Sequence, residues 1–133
     1  MTEPKKPVIE TFFDEATNTA TYLVSDPVTK SAAIIDSVLD YDPRSGRVAT
    51  ASADRLLASV AKNDLTVEWI LETHAHADHL SAAQYLKAHT GAPVGIGIYI
   101  ADVRAIFDPV FDLEPRNRPG DEFDHHFRDG EHF

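Results

Sequence analysis

The sequence contains no cysteine, which excludes disulfides, thiolate metal sites and cysteine nucleophiles. Positive charge is also scarce: 12 Lys and Arg residues stand against 22 Asp and Glu residues, so the formal net charge is −10 at pH 7. Nucleic acid and anionic membrane surfaces are poor partners for such a chain, because both require a basic face. There is no apolar run near the roughly 20 residues of a membrane span, and the first ten residues lack the apolar core of a secretory signal. We therefore expect a cytoplasmic protein that binds neither nucleic acid nor membrane.

The overall composition is typical of one folded domain. The chain has 133 residues, of which 43% are hydrophobic and 26% charged. Residues 1–7 are polar and include two prolines, which predicts a flexible N-terminus followed by a domain at 8–133. Strands rich in β-branched and aromatic residues are predicted as an antiparallel meander at 8–13, 19–25 and 31–38.

Helices and strands are predicted to alternate in the second half of the chain. This order indicates βαβ units and a partly parallel sheet, so the fold class is α/β (α+β). Trp69 lies in an apolar run and is expected in the core. Residues 39–50 are predicted as a loop, and 108–133 show no sustained periodicity. The predicted elements are helices at 53–61, 80–88 and 101–107 and strands at 65–72 and 93–99.

Three of the seven histidines fall within six residues, in the segment THAHADH at 73–79. The segment follows the predicted strand 65–72, so it lies where ligand sites of α/β sheets gather. In an extended conformation His74 and His76 project to the same side and form a chelating pair for a divalent metal. Asp78 and His79, at the predicted start of the next helix, add a carboxylate and a third imidazole. The alternative is a surface histidine-rich turn with incidental metal affinity.

Several other residues have two readings each. Asp36 either caps the end of its strand or orients a metal-binding histidine. His89 is placed to interact with the C-terminal dipole of its helix, rather than with a metal. Tyr41 either lines a pocket or packs. Gly95 and Gly97 permit close backbone approach, to a neighbouring strand or to a cofactor.

The segment ETHAHADHLSAA at 72–83 resembles the signature of the metallo-β-lactamase superfamily, in its persulfide dioxygenase and glyoxalase II-like branch. Two further stretches resemble the same branch: AAIIDSV at 32–38, a strand that ends in an aspartate supporting the metal site, and FRDGEHF at 127–133, a turn containing Asp-Gly. The resemblance implies an αββα sandwich, of which this chain would be the N-terminal half, a mixed β-sheet flanked by helices.

The same resemblance implies an activity and a set of site residues. Dioxygenase members bind one Fe(II) and oxidise glutathione persulfide to sulfite with O₂, whereas glyoxalase II members bind two metals and hydrolyse a glutathione thioester. It makes His74, His76, Asp78 and His79 the candidate metal ligands and Asp78 the candidate catalytic residue, and it favours the orienting role for Asp36. Fe(II) is the expected cofactor and Zn(II) the alternative, and the expected substrate is a small thiol or persulfide such as a glutathione derivative.

The chain departs from the family pattern in its last part. A G-H-T-x-G motif carrying a further histidine ligand is absent, and the late histidines are His125, His126 and His132. We expect them to be exposed tail residues, with a ligand role as the alternative. A lone half-domain would expose an inner sheet face lined by Ile34, Trp69 and Val94, and would form a homo-oligomer or bind a missing half. A non-catalytic half-domain is therefore a further alternative.

Overall fold

The computed structural model describes residues 3, 5–110 and 122–133. Most of the predicted flexible N-terminus is therefore described, but residues 1, 2 and 4 lie outside the described residues, as does 111–121 of the C-terminal region. None of the described helices is long and apolar enough to cross a membrane. The described elements are β1 (Val8–Asp14), β2 (Thr19–Ser25), β3 (Ser31–Ile35), β4 (Val38–Asp42), β5 (Arg47–Ala49), α1 (Ala51–Lys62), β6 (Thr66–Leu71), β7 (Leu80–Ser81), α2 (Ala83–Thr90), β8 (Val94–Gly97), α3 (Ile100–Val110) and β9 (His125–Phe127).

The main sheet is mixed and has six strands in the order β1-β2-β3-β6-β8-β9. Its first three strands form an antiparallel meander. The pairs β3–β6, β6–β8 and β8–β9 are parallel, as expected when strands are joined through intervening segments that cross the sheet. The predicted meander, the predicted parallel part and the fold class of a mixed sheet flanked by helices are confirmed. The third strand is predicted to run to residue 38, but it ends at Ile35 because Asp36 takes a left-handed backbone conformation, and Val38 begins β4.

The hydrophobic core lies between one face of this sheet and the helices α1 and α2. Alternate side chains of the central strands point to this face, since successive strand residues face opposite sides. The apolar stripes of both helices meet them. The buried core residues include Leu23, Ile34, Val67, Ile70 and Val94 from the sheet, and Ala53, Leu56, Ala83 and Leu86 from the helices.

The region 39–50, predicted as a loop, instead contains β4 and β5, which pair antiparallel. The helix predicted from Leu80 begins only at Ala83, because Leu80 and Ser81 pair with β4 as strand β7. Strand β7 of this small three-stranded sheet directly follows the histidine segment, and it is held there by its pairing with β4. It therefore fixes where that segment ends.

The C-terminal region also differs from the prediction of a tail without elements. Strand β9 pairs with β8, so His125 and His126 are half-buried at the edge of the main sheet rather than exposed in a tail. Asp124 holds the strand in place: its backbone N–H donates to Val94 O at 2.7 Å, its carboxylate accepts from Val94 N at 2.8 Å, and Lys87 Nζ forms an ion pair with it.

Aromatic side chains cluster on the sheet face opposite the helices, and the prediction for this face is partly wrong. Ile34 and Val94 are fully buried beneath the helices. Trp69 alone of the three predicted residues lies on the other face, so its expected place in the core is wrong. The aromatic cluster consists of Trp69, His125, Phe127 and Phe133, with Trp69 5.1 Å from Phe127 and 5.6 Å from Phe133 between ring centroids. Gly95 makes room for it, since a Cβ there would overlap the Phe127 ring.

Ile34→Ala should lower the free energy of unfolding by about 2–5 kcal/mol, because it leaves a cavity at the centre of the core. Urea unfolding followed by circular dichroism measures the loss. Val28→Ala is the matched control, because Val28 is 64% exposed and should change stability by less than about 0.5 kcal/mol. Equal losses in the two variants would contradict this account of the core.

The aromatic cluster predicts self-association of the chain. Phe133 is 69% exposed, and Tyr22, on the same face of the sheet as Trp69, is 39% exposed. Sedimentation velocity over a concentration series should show species larger than the 14.7 kDa monomer. Phe133→Ser should shift the equilibrium toward monomer, and Val28→Ser should leave it unchanged. A monomer at every concentration in the unaltered chain would contradict the prediction.

Candidate metal centre

The site begins where β3 ends, at Asp36. This residue has a left-handed backbone with φ of 55°, a conformation that is uncommon outside glycine but tolerated by aspartate. Its N–H donates to Leu71 O at 2.9 Å, and its carbonyl oxygen accepts from Thr21 Oγ1 at 2.7 Å. These two bonds from neighbouring strands fix the turn. The Asp36 carboxylate is thereby directed at the segment that follows β6.

Asp36 holds the first part of the histidine segment through Thr73. Oδ1 accepts from the Thr73 N–H at 2.8 Å and Oδ2 accepts from Thr73 Oγ1 at 2.7 Å. Because the single hydroxyl proton of Thr73 goes to Asp36, Thr73 Oγ1 can only accept from His74 Nδ1, which lies 2.7 Å away. His74 therefore carries its proton on Nδ1, and Nε2 presents a lone pair.

Two carboxylates meet the Nε2 atom of His76. Glu72 Oε2 lies 2.6 Å from it and Asp36 Oδ1 3.0 Å. Ionised carboxylates only accept hydrogen bonds, so Nε2 carries the proton and Nδ1 presents the lone pair. Burial raises the pKa of Glu72, while hydrogen bonds from Ser81 and His76 act in the opposite direction.

His79 is oriented through its Nδ1 atom, whereas His76 is oriented through Nε2. Its Nδ1 lies 2.9 Å from Leu80 O, a carbonyl that can only accept, so the proton is on Nδ1. Its Nε2 is buried and has no hydrogen-bond partner among the described residues, and its side chain is only 1% exposed. An unpaired buried polar atom costs about 1–3 kcal/mol. A metal ion bound at Nε2 would supply the missing partner, and the donor set therefore fits a metal.

The side chains converge in two overlapping groups. Asp36, His74 and His76 offer possible ligand atoms within 4.8 Å of one another, and so do His76, Asp78 and His79. Asp78 is 60% exposed and its Oδ1 lies 4.0 Å from His79 Nε2, less than twice a metal–ligand bond of about 2.1 Å. One or two divalent ions could be held here, with His76 common to both groups.

Two cavities flank the cluster. One, of about 640 Å³, is lined by Tyr41, Asp40 and Asp14 together with the side of the segment that carries Asp78 and His79. The other, of about 500 Å³, is lined by His74 and Glu72 and reaches Arg104. Tyr41 therefore lines a pocket, which resolves the two readings left open by the sequence. Both cavities give a small molecule access to the histidines.

The four predicted ligands and Asp36 are all brought together in this structure. Asp78 and His79 precede strand β7 rather than starting a helix, contrary to the prediction. His89 stands apart in the last turn of α2, where its Nδ1 lies 2.9 Å from Tyr85 O. Within residues 5–110 and 122–133, the groups of candidate ligands do not include His125, His126 or His132.

Sequence reasoning missed two residues that shape the site, Glu72 and Ser81. Ser81 Oγ donates to Glu72 Oε1 and accepts from the Ala83 N–H at 3.1 Å, at the start of α2. The available signal was a carboxylate directly after the apolar end of a strand, four residues before His76. Its meaning depends on burial, which the pattern does not reveal.

A mixed sheet with a histidine–aspartate cluster at its carboxyl edge defines a metal-binding α/β domain. The model of the metallo-beta-lactamase superfamily matches residues 15–132. The chain belongs to this superfamily, whose members bind metal ions.

Individual relatives agree with this assignment. The beta-lactamase hydrolase-like protein of Xylella fastidiosa (strain Temecula1) is 49% identical over 96% of this chain and 30% of that protein, and Glyoxylase B2 of Dictyostelium discoideum is 42% identical over 96% and 44%. The mitochondrial persulfide dioxygenase ETHE1 of Homo sapiens is 30% identical over 61% and 28%. The crystal structure of ETHE1 from Myxococcus xanthus has a TM-score of 0.56 at 36% identity, over 66% of this chain and 34% of that one. The chain thus spans less than half the length of these proteins.

His76→Ala should abolish tight binding of Zn²⁺ or Fe²⁺, because His76 belongs to both ligand groups. Metal content after dialysis against the free ion measures the loss. His89→Ala removes a histidine outside the cluster and should retain the stoichiometry of the unaltered chain. Full metal occupancy in His76→Ala would remove this residue from the centre.

Proposed function

We propose that the protein is an iron-dependent dioxygenase of the metallo-β-lactamase superfamily that oxidises a persulfide such as glutathione persulfide. The observation that carries the proposal is that three histidines lie with Asp36 and Asp78 in two candidate ligand groups that share His76, and that each imidazole is held through one ring nitrogen. Imidazole suits iron as a ligand, and two histidines belong to the usual ligand set of non-haem Fe(II) oxygenases. The 30% identity to a persulfide dioxygenase supports the substrate class.

Each residue of the site has a proposed role. His74 and His76 hold the metal through Nε2 and Nδ1, and Asp36 orients both through Thr73 and His76 Nε2. His79 completes or flanks the site. Asp78, as the exposed carboxylate beside the larger cavity, is the catalytic candidate that takes the S–H proton of the substrate at its carboxylate oxygen. Iron, when bound, supplies positions for O₂ and sulfur in one coordination sphere.

The competing function is a two-metal thioester hydrolase of the glyoxalase II type, which would use Zn(II). The second group of possible ligands, His76, Asp78 and His79, favours it, as does the 42% identity to Glyoxylase B2. Metal-bound water of lowered pKa is the nucleophile in such enzymes. In this function Asp78 would be a ligand of the second metal rather than a base.

Oxygen consumption separates the two functions. We expect the iron-loaded protein to consume O₂ and release sulfite with glutathione persulfide, and to lose this activity in His74→Ala. Asp78→Asn should reduce turnover at least tenfold while retaining most of the iron. The control reaction is hydrolysis of a glutathione thioester by the zinc-loaded protein, followed by thiol release. Thioester turnover without O₂ consumption would replace the dioxygenase proposal with the hydrolase.

A further inference from the structure

Glu72 is a buried carboxylate with a specific environment. It follows β6 and its side chain is only 4% exposed, whereas Glu68 on the same strand is exposed. Removing a carboxylate from water is costly unless its oxygens are hydrogen-bonded. Both Glu72 oxygens are: Oε1 accepts from Ser81 Oγ and Oε2 from His76 Nε2 at 2.6 Å. The cost is thus offset by two bonds, one of which reaches a candidate ligand.

Hydrogen bonds fix both the backbone and the side chain of Glu72. Its backbone N–H donates to Gly95 O at 3.0 Å, which extends the pairing of β6 with β8 by one residue. Its side chain is fixed by Ser81, which in turn accepts from the Ala83 N–H at the start of α2. A chain of hydrogen bonds therefore runs from the first turn of α2 through Ser81 and Glu72 to His76.

Glu72 is the closer of the two carboxylates at His76 Nε2. Asp36 lies at 3.0 Å, and its oxygens also accept two bonds from Thr73. Glu72 Oε2 lies at 2.6 Å, and Ser81 bonds the other oxygen. The two carboxylates therefore have different main partners. Asp36 mainly binds Thr73, and Glu72 mainly binds the imidazole of His76.

We propose that Glu72 is a positioning residue of His76, in addition to Asp36. By accepting the Nε2 proton, it fixes the tautomer and ring orientation that place the Nδ1 lone pair toward the metal. Carboxylates that hold a ligating histidine in this way typically change metal affinity by about 10- to 100-fold. The inference rests on the proposed metal centre, and it adds a residue to it.

The test compares Glu72→Gln with Glu68→Gln in the 133-residue chain. Zn²⁺ affinity is measured by competition with a chromophoric chelator, and Co²⁺ absorption reports the geometry of the ligands. Glu72→Gln should weaken Zn²⁺ binding by about 10- to 100-fold and alter the Co²⁺ spectrum, with the urea midpoint of the metal-free chain close to that of the unaltered chain. Glu68→Gln should change neither. Unchanged affinity and spectrum in Glu72→Gln would overturn the proposal.

A second measurement needs no variant. The ¹⁵N chemical shifts of the His76 ring in the unaltered, metal-free chain should show the proton on Nε2. A proton on Nδ1 would overturn the proposal, even if Glu72→Gln failed to fold.

Failure of the metal centre itself would look different. If the unaltered chain binds no Zn²⁺, or if His76→Ala binds as well as the unaltered chain, the proposed function fails. If His76→Ala loses the metal and Glu72→Gln keeps it, the role of Glu72 alone is wrong.

Discussion

The parallel pairing of β3 with β6 is the constraint on which the candidate metal centre depends. Their register sets Ile35 beside Leu71, so the next residues of both strands leave the sheet side by side. Asp36 extends the ladder by one bond to Leu71 O and then turns its carboxylate toward Thr73. Because side chains alternate between faces, a slip of one residue would turn Asp36 away from the histidines. Core packing of Ile34 and Ile70 against the helices prevents this slip, so the core determines the geometry of the site.

Two carboxylates lie close to one ring nitrogen of His76. The side chains of Asp36 and Glu72, 13% and 4% exposed, approach the same ring nitrogen. Two buried carboxylates so close repel each other unless protons or cations lie between them. Hydrogen bonds from Thr73, Ser81 and His76 reduce this cost, and a divalent cation beyond the imidazoles would reduce it further. The net charge of −10 favours the approach of such a cation.

Sequence reasoning predicted those parts of the fold that have strong local patterns. Strand β2 occurs at the predicted residues 19–25, since its alternation of buried and exposed side chains is regular. Strand β7 has only two residues and forms by pairing with β4, some 40 positions earlier in the chain. The local sequence therefore contains no pattern that predicts it. The same holds for β9, whose three residues pair with β8 across the region 111–121 that the structure does not describe.

For the site, the residue types were predictable and the supporting contacts were not. Three histidines and an aspartate within six positions already indicate a metal, whatever the surrounding fold. The role of Glu72 depends on the position of Ser81, and that position depends on the pairing of β7 with β4. The tautomers follow from the same contacts: Thr73, Glu72 and Leu80 O each take one ring proton, and the lone pairs left at His74 Nε2, His76 Nδ1 and His79 Nε2 are those available to a metal. We therefore expect the metal affinity of the segment to depend on these tertiary hydrogen bonds, and a peptide of the same sequence to bind a metal more weakly.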